Sequence, residues 1–151
     1  MPQNGSSLSA SAVFPADERA ALDVLLLVRK YSPKAGFAAD RLHEIDIAVT
    51  EAVNNIIEHA YAKAPGGMVK LDLRVMPGML TIDLADWGVA LPGREIPNIR
   101  PANLTRSRSN LPEGGFGWRL IRQLCNEVRY CRERGKNQLT LSFGAVAAEE
   151  S

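Results

Sequence analysis

Glu51-Ala-Val-Asn-Asn-Ile-Ile-Glu-His-Ala-Tyr61 is the stretch that decides the fold of this chain, because it combines an apolar helical stripe with polar side chains on another face. It ends a segment from about Asp40 to Tyr61 in which apolar residues recur at helical spacing. The stripe comprises Leu42, Ile45, Val49, Ala52, Val53, Ile56 and Ala60. Glu51 and Asn55 are four residues apart, so their side chains emerge one turn apart on one face. We predict an amphipathic helix that presents a carboxylate and a carboxamide together.

Before this helix, the sequence predicts a short strand and a first helix. Ser11 to Phe14 is expected to form an edge strand that ends at Pro15, and this proline also suits the opening of a helix. Apolar residues at helical spacing then continue to Ser32-Pro33, where the proline ends the helix. The first ten residues are small and polar, and we expect them to be poorly ordered.

After the central helix, the apolar period changes from helical to alternating. Residues 69–75 and 80–84 each alternate apolar and polar side chains, with Pro77-Gly78 between them. This pattern is typical of an antiparallel hairpin with one buried face. A helix from Gly115 to about Asn126 and a last hairpin that turns around Gly135–Asn137 are predicted further on.

Residues 89–113 differ from the segments on either side, because they hold four of the nine prolines and little apolar periodicity. A loop of this length in a compact domain is usually a functional lid or disordered. The elements together predict an α/β (α+β) two-layer sandwich: a mixed, largely antiparallel sheet with helices on one face and a flexible lid.

Composition places the chain among soluble globular domains. With 151 residues, 46% of them hydrophobic and 23% charged, one domain is expected. We assign it to residues 11–146, between a disordered tail (1–10) and a frayed tail (147–151). The net charge of +1 gives no indication of nucleic acid or an anionic membrane as a direct partner.

The two cysteines and the lack of long apolar runs bear on location. Cys125 and Cys131 are six residues apart and form no CxxC pair, so a structural zinc site or disulfide framework is not expected. No apolar run approaches the ~20 residues of a membrane span, and the N-terminus lacks the pattern of a secretory signal. The expected location is the cytoplasm.

Three segments that follow one another along the chain predict a nucleotide site with its metal. The first contains Glu51 and Asn55. In Asp86-Trp-Gly88, the carboxylate can accept hydrogen bonds from an exocyclic amine, while the glycine lets the backbone approach a flat ring. In Gly114-Gly-Phe-Gly117, glycine amides before a helix form a natural phosphate cradle.

Each of these segments alone also has an ordinary structural explanation. The first fits the solvated face of a helix, the second an Asp-x-Gly turn, and the third a flexible junction. Their order along one chain favours the nucleotide site.

The same segments resemble the motifs of the GHKL ATPase superfamily, which has the Bergerat nucleotide-binding fold. Residues 51–61 are similar to the N box, whose pattern is E-A-V-x-N-x-x-x-H-x-Y. Asp86-Trp-Gly88 resembles the first glycine box, and Gly115-Phe-Gly117 resembles the second. Within the superfamily, the chain is most similar to the anti-sigma factor serine/threonine protein kinases of bacterial partner-switching systems, over about residues 12–144.

The resemblance implies a role for each matching residue. Glu51 would be the catalytic general base, and Asn55 would be the Mg²⁺ ligand. Asp86, supported by Gly88, would bind the adenine amino group of ATP. Gly115, Phe116 and Gly117 would contact the phosphates.

The last hairpin departs from the family pattern. Family members usually carry Gly-Thr there, whereas this chain has Gly135-Lys-Asn-Gln138, so the corresponding hydrogen bond must come from Asn137, from Gln138 or from neither. His59 is expected to be a structural histidine that forms a local hydrogen bond.

The resemblance implies an ATP-dependent protein serine/threonine kinase that phosphorylates a STAS-type anti-anti-sigma antagonist and sequesters a sigma factor or other regulatory target. A homodimer is also implied. The departure at Asn137-Gln138 motivates an alternative, a nucleotide-binding regulatory module without kinase activity. A further alternative is a switch whose target is not a sigma factor, for example one that controls secretion. A histidine kinase is disfavoured because the chain has no room for a helix pair that carries a phosphoaccepting histidine.

Overall fold

The structure, a computed structural model, describes residues 7–62, 65–92 and 115–147. Most of the predicted lid, and the outermost residues of both predicted tails, lie outside the described residues. The elements, in chain order, are β1 (Leu8–Pro15), α1 (Ala20–Tyr31), a 3-10 turn (Ser32–Ala35), α2 (Ala39–Asn55), a π turn (Ile56–Ala60), β2 (Met68–Met76), β3 (Met79–Asp86), α3 (Gly115–Leu124), β4 (Glu127–Glu133) and β5 (Lys136–Phe143).

The described strands form one five-stranded sheet in the order β1-β2-β3-β5-β4. Every neighbouring pair among them is antiparallel. Buried side chains from alternate strand positions join those of α1, α2 and α3 in one hydrophobic core. The predicted fold class, a two-layer sandwich with helices on one face of the sheet, is confirmed, although the described sheet is antiparallel rather than mixed.

The first hairpin follows the sequence prediction closely. In β2, Val69, Leu71 and Leu73 are buried, whereas the alternating polar side chains Lys70 and Asp72 are not. Because side chains of a strand alternate between its two faces, the alternation in sequence places the apolar side chains from Val69 to Val75 in the core, whereas Met68 and Met76 at the strand ends are exposed.

The start of the chain differs from the prediction. Strand β1 begins at Leu8, three residues before Ser11, and it continues through Pro15, which pairs with Met68. Proline is tolerated there because β1 is an edge strand. The prediction that the first helix opens at Pro15 is therefore wrong. The helix begins at Ala20, after a turn in which the Arg19 N–H donates to Asp17 Oδ1 at 2.9 Å.

The central helix runs as predicted but changes pitch at its end. Regular α-helix stops at Asn55, and residues Ile56–Ala60 form a wider π turn that closes with the Tyr61 N–H donating to the Ile56 carbonyl at 3.1 Å. Such turns are rare in proteins as a whole, and those that occur are often found at functional sites. Here the π turn follows directly after Asn55.

The last hairpin turns one residue earlier than predicted. Arg134 and Gly135 occupy its turn with φ angles of 52° and 77°, so Lys136 and Asn137 already belong to β5. Asn137 consequently pairs with Asp86 on one side and Arg132 on the other. The described helices are too short or too polar to span a bilayer.

Candidate functional site

A cavity of about 280 Å³ lies between α2 with its π turn, the end of β3, α3 and the last hairpin. Its polar lining consists of Asn55, His59, Asp86, Tyr130 and Asn137. Its remaining lining is apolar: Ala52, Ile56, Ala60, Val89, Ala90, Leu91, Pro92, Trp118 and Leu139. A mostly apolar cavity with a few converging polar groups is typical of a small-molecule site.

Asp86 lies at the end of β3 with only 4% of its surface exposed. Its Oδ1 accepts hydrogen bonds from the Gly88 N–H at 2.9 Å and from Asn137 Nδ2 at 2.7 Å. Burial raises the pKa of this carboxyl above its ordinary value, and the hydrogen bonds from Asn137 and Gly88, with the charge of Arg132, act in the opposite direction. The predicted aspartate therefore borders the cavity as an oriented acceptor.

Asn137 is the centre of the hydrogen-bond network around Asp86. Its Oδ1 accepts from Tyr130 Oη at 2.5 Å and from Arg132 Nη1 at 2.9 Å. Its Nδ2 donates to Asp86 and also to the Val89 carbonyl at 2.9 Å. Of the two residues left open by the sequence, Asn137 contacts Asp86, whereas Gln138 is on the other face of the strand and exposed.

Gly88 is required by a close contact within the protein. A Cβ at this position would lie 2.2 Å from the Ala60 carbonyl oxygen of the π turn. The next residue, Val89, donates its N–H to the same carbonyl at 2.7 Å. From the sequence, this glycine is expected to let the backbone approach a flat ring, which stays a prediction; the structure shows that it also lets the segment after β3 pack on the π turn.

Glu51 and Asn55 both face the first turn of α3. A Cβ on Gly117 would lie 2.7 Å from Glu51 Oε2 and 3.6 Å from both terminal atoms of the Asn55 carboxamide. Gly115 and Phe116 are the first two residues of the same helix. The acid, the amide and the second glycine segment are therefore adjacent, as their order in the sequence predicted.

Asn55 is buried, with 6% of its surface exposed, and its Nδ2 has no hydrogen-bond partner among the described residues. His59 Nε2 likewise has no partner among the described residues, so the local hydrogen bond expected of this histidine does not come from that nitrogen. A buried polar group without a partner costs ~1–3 kcal/mol. Because both side chains line the cavity, a polar ligand there would meet two unsatisfied groups.

The Asn55 side chain also fits a role at a metal. Its carboxamide oxygen is a hard ligand of the kind that Mg²⁺ accepts, usually beside waters and phosphate oxygens. Within residues 7–62, 65–92 and 115–147, no group of three His, Cys, Asp or Glu side chains is placed to hold a metal ion.

The structure brings together most of the predicted site residues, although not all of them at one point. Asn55 and Asp86 line the cavity, whereas Glu51 lies beside it against Gly117. Tyr130 and Arg132 were missed by sequence reasoning. Nothing near them in the sequence marks them, because they reach Asn137 only through the pairing of β4 with β5.

Proteins of known name match much of this chain. Two curated relatives, each a serine-protein kinase RsbW, come from Bacillus thuringiensis (strain Al Hakam) and Bacillus anthracis. Each is 29% identical over 111 residues, which is 73% of this chain and 69% of the relative.

Similarity to a solved structure and to a family completes the comparison. The RsbU and RsbW domains of Rv1364c from Mycobacterium tuberculosis match with a TM-score of 0.58 and 19% identity. The match covers 93% of this chain and 33% of that one, and at this identity it shows the fold. Residues 14–143 match the family described as the histidine kinase-like ATPase domain. The resemblance inferred from the sequence motifs is thus confirmed, and this chain belongs to the histidine kinase-like ATPase domain family.

Proposed function

We propose that this chain is an ATP-dependent protein serine/threonine kinase of a partner-switching system. It phosphorylates a small STAS-type antagonist protein, and it holds a regulatory target, such as a sigma factor, when the antagonist is phosphorylated. The observation that carries the proposal is one cavity lined both by an oriented carboxylate, Asp86, and by Asn55, whose amide nitrogen has no partner among the described residues.

The part of the cavity next to Asp86 suits the adenine base. The exocyclic amine of adenine is a donor, and an ionised carboxylate is a matching acceptor. Apolar side chains such as Leu91 and Leu139 line the same cavity and offer surface for a flat ring.

The part next to Asn55 and the start of α3 suits the phosphates and Mg²⁺. Asn55 would supply an oxygen ligand, and the backbone amides at the start of α3, from Gly115 to Gly117, would bind phosphate oxygens. Bound Mg²⁺ neutralises phosphate charge, which is the main requirement of phosphoryl transfer. A side chain at Gly117 would displace the Glu51 carboxylate, so the absence of a Cβ keeps this end open.

Glu51 is the group we assign as general base. It is half-buried, one helical turn from Asn55, and among the described residues it makes no hydrogen bond that would occupy its carboxylate oxygens. In this role it accepts the proton of the attacking hydroxyl group of the antagonist's serine or threonine.

The alternative of a binding module without kinase activity rested on the departure at Asn137-Gln138. That reason is weakened, because Asn137 donates a hydrogen bond to Asp86. The homodimer and the role of sigma factor as target remain proposals that follow from the resemblance, and the cytoplasmic location remains a proposal that follows from the cysteines and apolar pattern of the sequence. Sedimentation of the purified chain tests the first of them.

The decisive experiment begins with co-purification from the native host, with and without ATP, and identification of the bound proteins by mass spectrometry. The captured antagonist is then incubated with the full chain and radiolabelled ATP. Label on a serine or threonine of the antagonist is the expected result. Tight Mg-ATP binding without transfer would favour the binding module, and failure to bind Mg-ATP in calorimetry would overturn both functions.

A further inference from the structure

The Asn137 side chain hydrogen-bonds to Tyr130, Arg132, Asp86 and the Val89 carbonyl. No role in nucleotide binding has so far been given to these contacts. We propose that Asn137 is a positioning residue which, held by Tyr130 and Arg132, orients the Asp86 carboxylate and so makes the site selective for purine nucleotides that carry an exocyclic amine. The inference rests on the proposed function, because it concerns the nucleotide that the cavity binds.

The chemistry of its neighbours determines which way the Asn137 carboxamide points. Arg132 Nη1 can only donate, so the group facing it must be the carboxamide oxygen, which Tyr130 Oη also contacts. The opposite orientation would aim the amide N–H groups at a guanidinium and the oxygen at two acceptors, Asp86 Oδ1 and the Val89 carbonyl. The observed orientation is therefore the one that satisfies all four partners.

The orientation of Asn137 determines which oxygen of Asp86 is used. Oδ1 accepts from both the Gly88 N–H and Asn137 Nδ2, whereas Oδ2 receives no hydrogen bond from the described part of the chain. Because Asp86 lines the cavity, Oδ2 is the oxygen left to accept a hydrogen bond from a base. A hydroxyl at position 137 could rotate and either donate or accept, whereas a carboxamide with a fixed oxygen can only donate to Asp86.

The position of Asn137 in the sheet explains how one residue performs this task. It pairs with Asp86 of β3 and with Arg132 of β4, so the three side chains share one rung across three adjacent strands, on one face. Tyr130 and Leu139 form the next rung on that face. The sheet register thus positions the donor and both of its anchoring groups.

A structural role for Asn137 is the competing explanation, and a comparison of two nucleotides separates it from positioning. Calorimetry with the full chain and Mg²⁺ would compare ATP with purine riboside triphosphate, which lacks the exocyclic amine. Phosphates, ribose and ring are shared, so the ratio of the two Kd values reports on the amine alone. The wild-type chain should bind ATP about 10- to 100-fold more tightly, as expected for one hydrogen bond to a charged group.

The variant Asn137→Leu should bring this ratio close to one, with affinity for purine riboside triphosphate changed at most a few-fold. Gln138→Leu is the matched control, because the next residue carries the same amide chemistry on the exposed face. It should keep the wild-type ratio. An unchanged ratio in Asn137→Leu, or an equal loss of affinity for both nucleotides, would overturn the proposal.

A second variant decides the question if Asn137→Leu does not fold. Tyr130→Phe keeps the ring in the core but removes the hydroxyl that donates to Asn137 Oδ1, and this hydroxyl also accepts from the Leu91 N–H at 3.1 Å. The Kd ratio should fall by a smaller factor, a few-fold, and an unchanged ratio would refute positioning. Failure of the wild-type chain to bind either nucleotide is a different result, which removes the proposed function itself and this inference with it.

Discussion

Two clusters of residues in and beside the cavity are built in opposite ways; we call them the base end and the phosphate end, after the parts of the nucleotide proposed to bind there. At the base end, formed by Asp86, Asn137, Tyr130 and Arg132, the side chains satisfy one another through hydrogen bonds. At the phosphate end, formed by Glu51, Asn55 and Gly117, a buried amide nitrogen has no partner in the described part of the chain. The base end is therefore organised before a ligand arrives, whereas the phosphate end has a polar group that no described residue satisfies.

The difference follows from the elements that form each end. Three strands in antiparallel register form the base end, and their pairing places Asp86, Asn137 and Arg132 side by side on one rung. Two helices, α2 and α3, form the phosphate end, where contact depends on Gly117 having no side chain. We expect substitutions at the base end to change nucleotide choice, and substitutions at the phosphate end to change catalysis and metal dependence.

The largest expected effect comes from Glu51→Gln. Loss of a general base lowers the rate of phosphoryl transfer by about 10²- to 10⁴-fold, while Mg-ATP affinity stays within a few-fold because the shape of the side chain is kept. Transfer rates at saturating ATP measure the effect. Glu58→Gln, an exposed neighbour on the π turn, is the control and should behave as wild type. A Glu51→Gln enzyme with normal turnover would show that Glu51 is not the general base, and the phosphate end would then have no special part in catalysis.

Gly88→Ala should cause the next largest effect, on stability rather than on chemistry. The new Cβ would meet the Ala60 carbonyl oxygen at 2.2 Å, so backbone must move, and such overpacking costs ~1–3 kcal/mol. Urea unfolding of the nucleotide-free chain measures it.

The matched control for this variant is Gly144→Ala. Its Cβ would meet only ordinary contacts, the nearest at 3.6 Å on Asn126. The control should change the free energy of unfolding by less than about 0.5 kcal/mol. Equal losses in the two variants would show that the base end is not held tightly against the π turn.

Asn55→Ala should change stability and binding in opposite directions. Removal of a buried nitrogen without a partner, together with the higher helix propensity of alanine, should raise the melting temperature of the nucleotide-free chain. The magnesium-dependent part of ATP affinity should fall by roughly tenfold, equivalent to ~1.4 kcal/mol.

Asn54→Ala is the control for Asn55→Ala, because it makes the same change in propensity at the adjacent half-buried position. It should raise the melting temperature slightly and leave Mg-ATP binding unaltered. An Asn55→Ala chain with the wild-type magnesium dependence would contradict the ligand role and leave the unsatisfied amide unexplained.

The smallest expected effect is the pH dependence of base selectivity. Burial raises the pKa of Asp86, so this carboxyl takes up a proton at a higher pH than an ordinary aspartate and then ceases to be a free acceptor. The Kd ratio for ATP and purine riboside triphosphate should therefore be constant at high pH and decline as the pH falls through that raised pKa.

The raised pKa of Asp86 also makes stability depend on pH, in the opposite direction: selectivity falls at low pH, whereas stability falls at high pH. Because the pKa of Asp86 is raised in the folded state, its contribution to the free energy of unfolding is present at low pH and is lost as the pH rises through the folded-state value. Asp86→Asn is the control, and its selectivity should not vary with pH. A wild-type ratio that is independent of pH would show that Asp86 does not distinguish the two bases.

The sequence by itself determined the elements of this protein, because their signals are local. The stripe through Ile45, Val49 and Val53 indicated a helix, and the alternation from Val69 to Val75 indicated a strand with one buried face; both are observed. The N box and the glycine boxes indicated the family, which the match over residues 14–143 confirms. The proximity of Glu51 and Asn55 to Gly117 also followed from the motif order.

Only the tertiary structure decided which residues complete the base end. A change of one residue in the turn at Arg134-Gly135 determines whether Asn137 or Gln138 faces Asp86, and turn positions are weakly marked in sequence. Tyr130 and Arg132 act through pairing between strands, and the need for Gly88 arises from Ala60, a residue 28 positions away in the chain. Helical and strand periods depend on neighbouring residues, whereas cross-strand register and close backbone contacts depend on residues that only folding brings together.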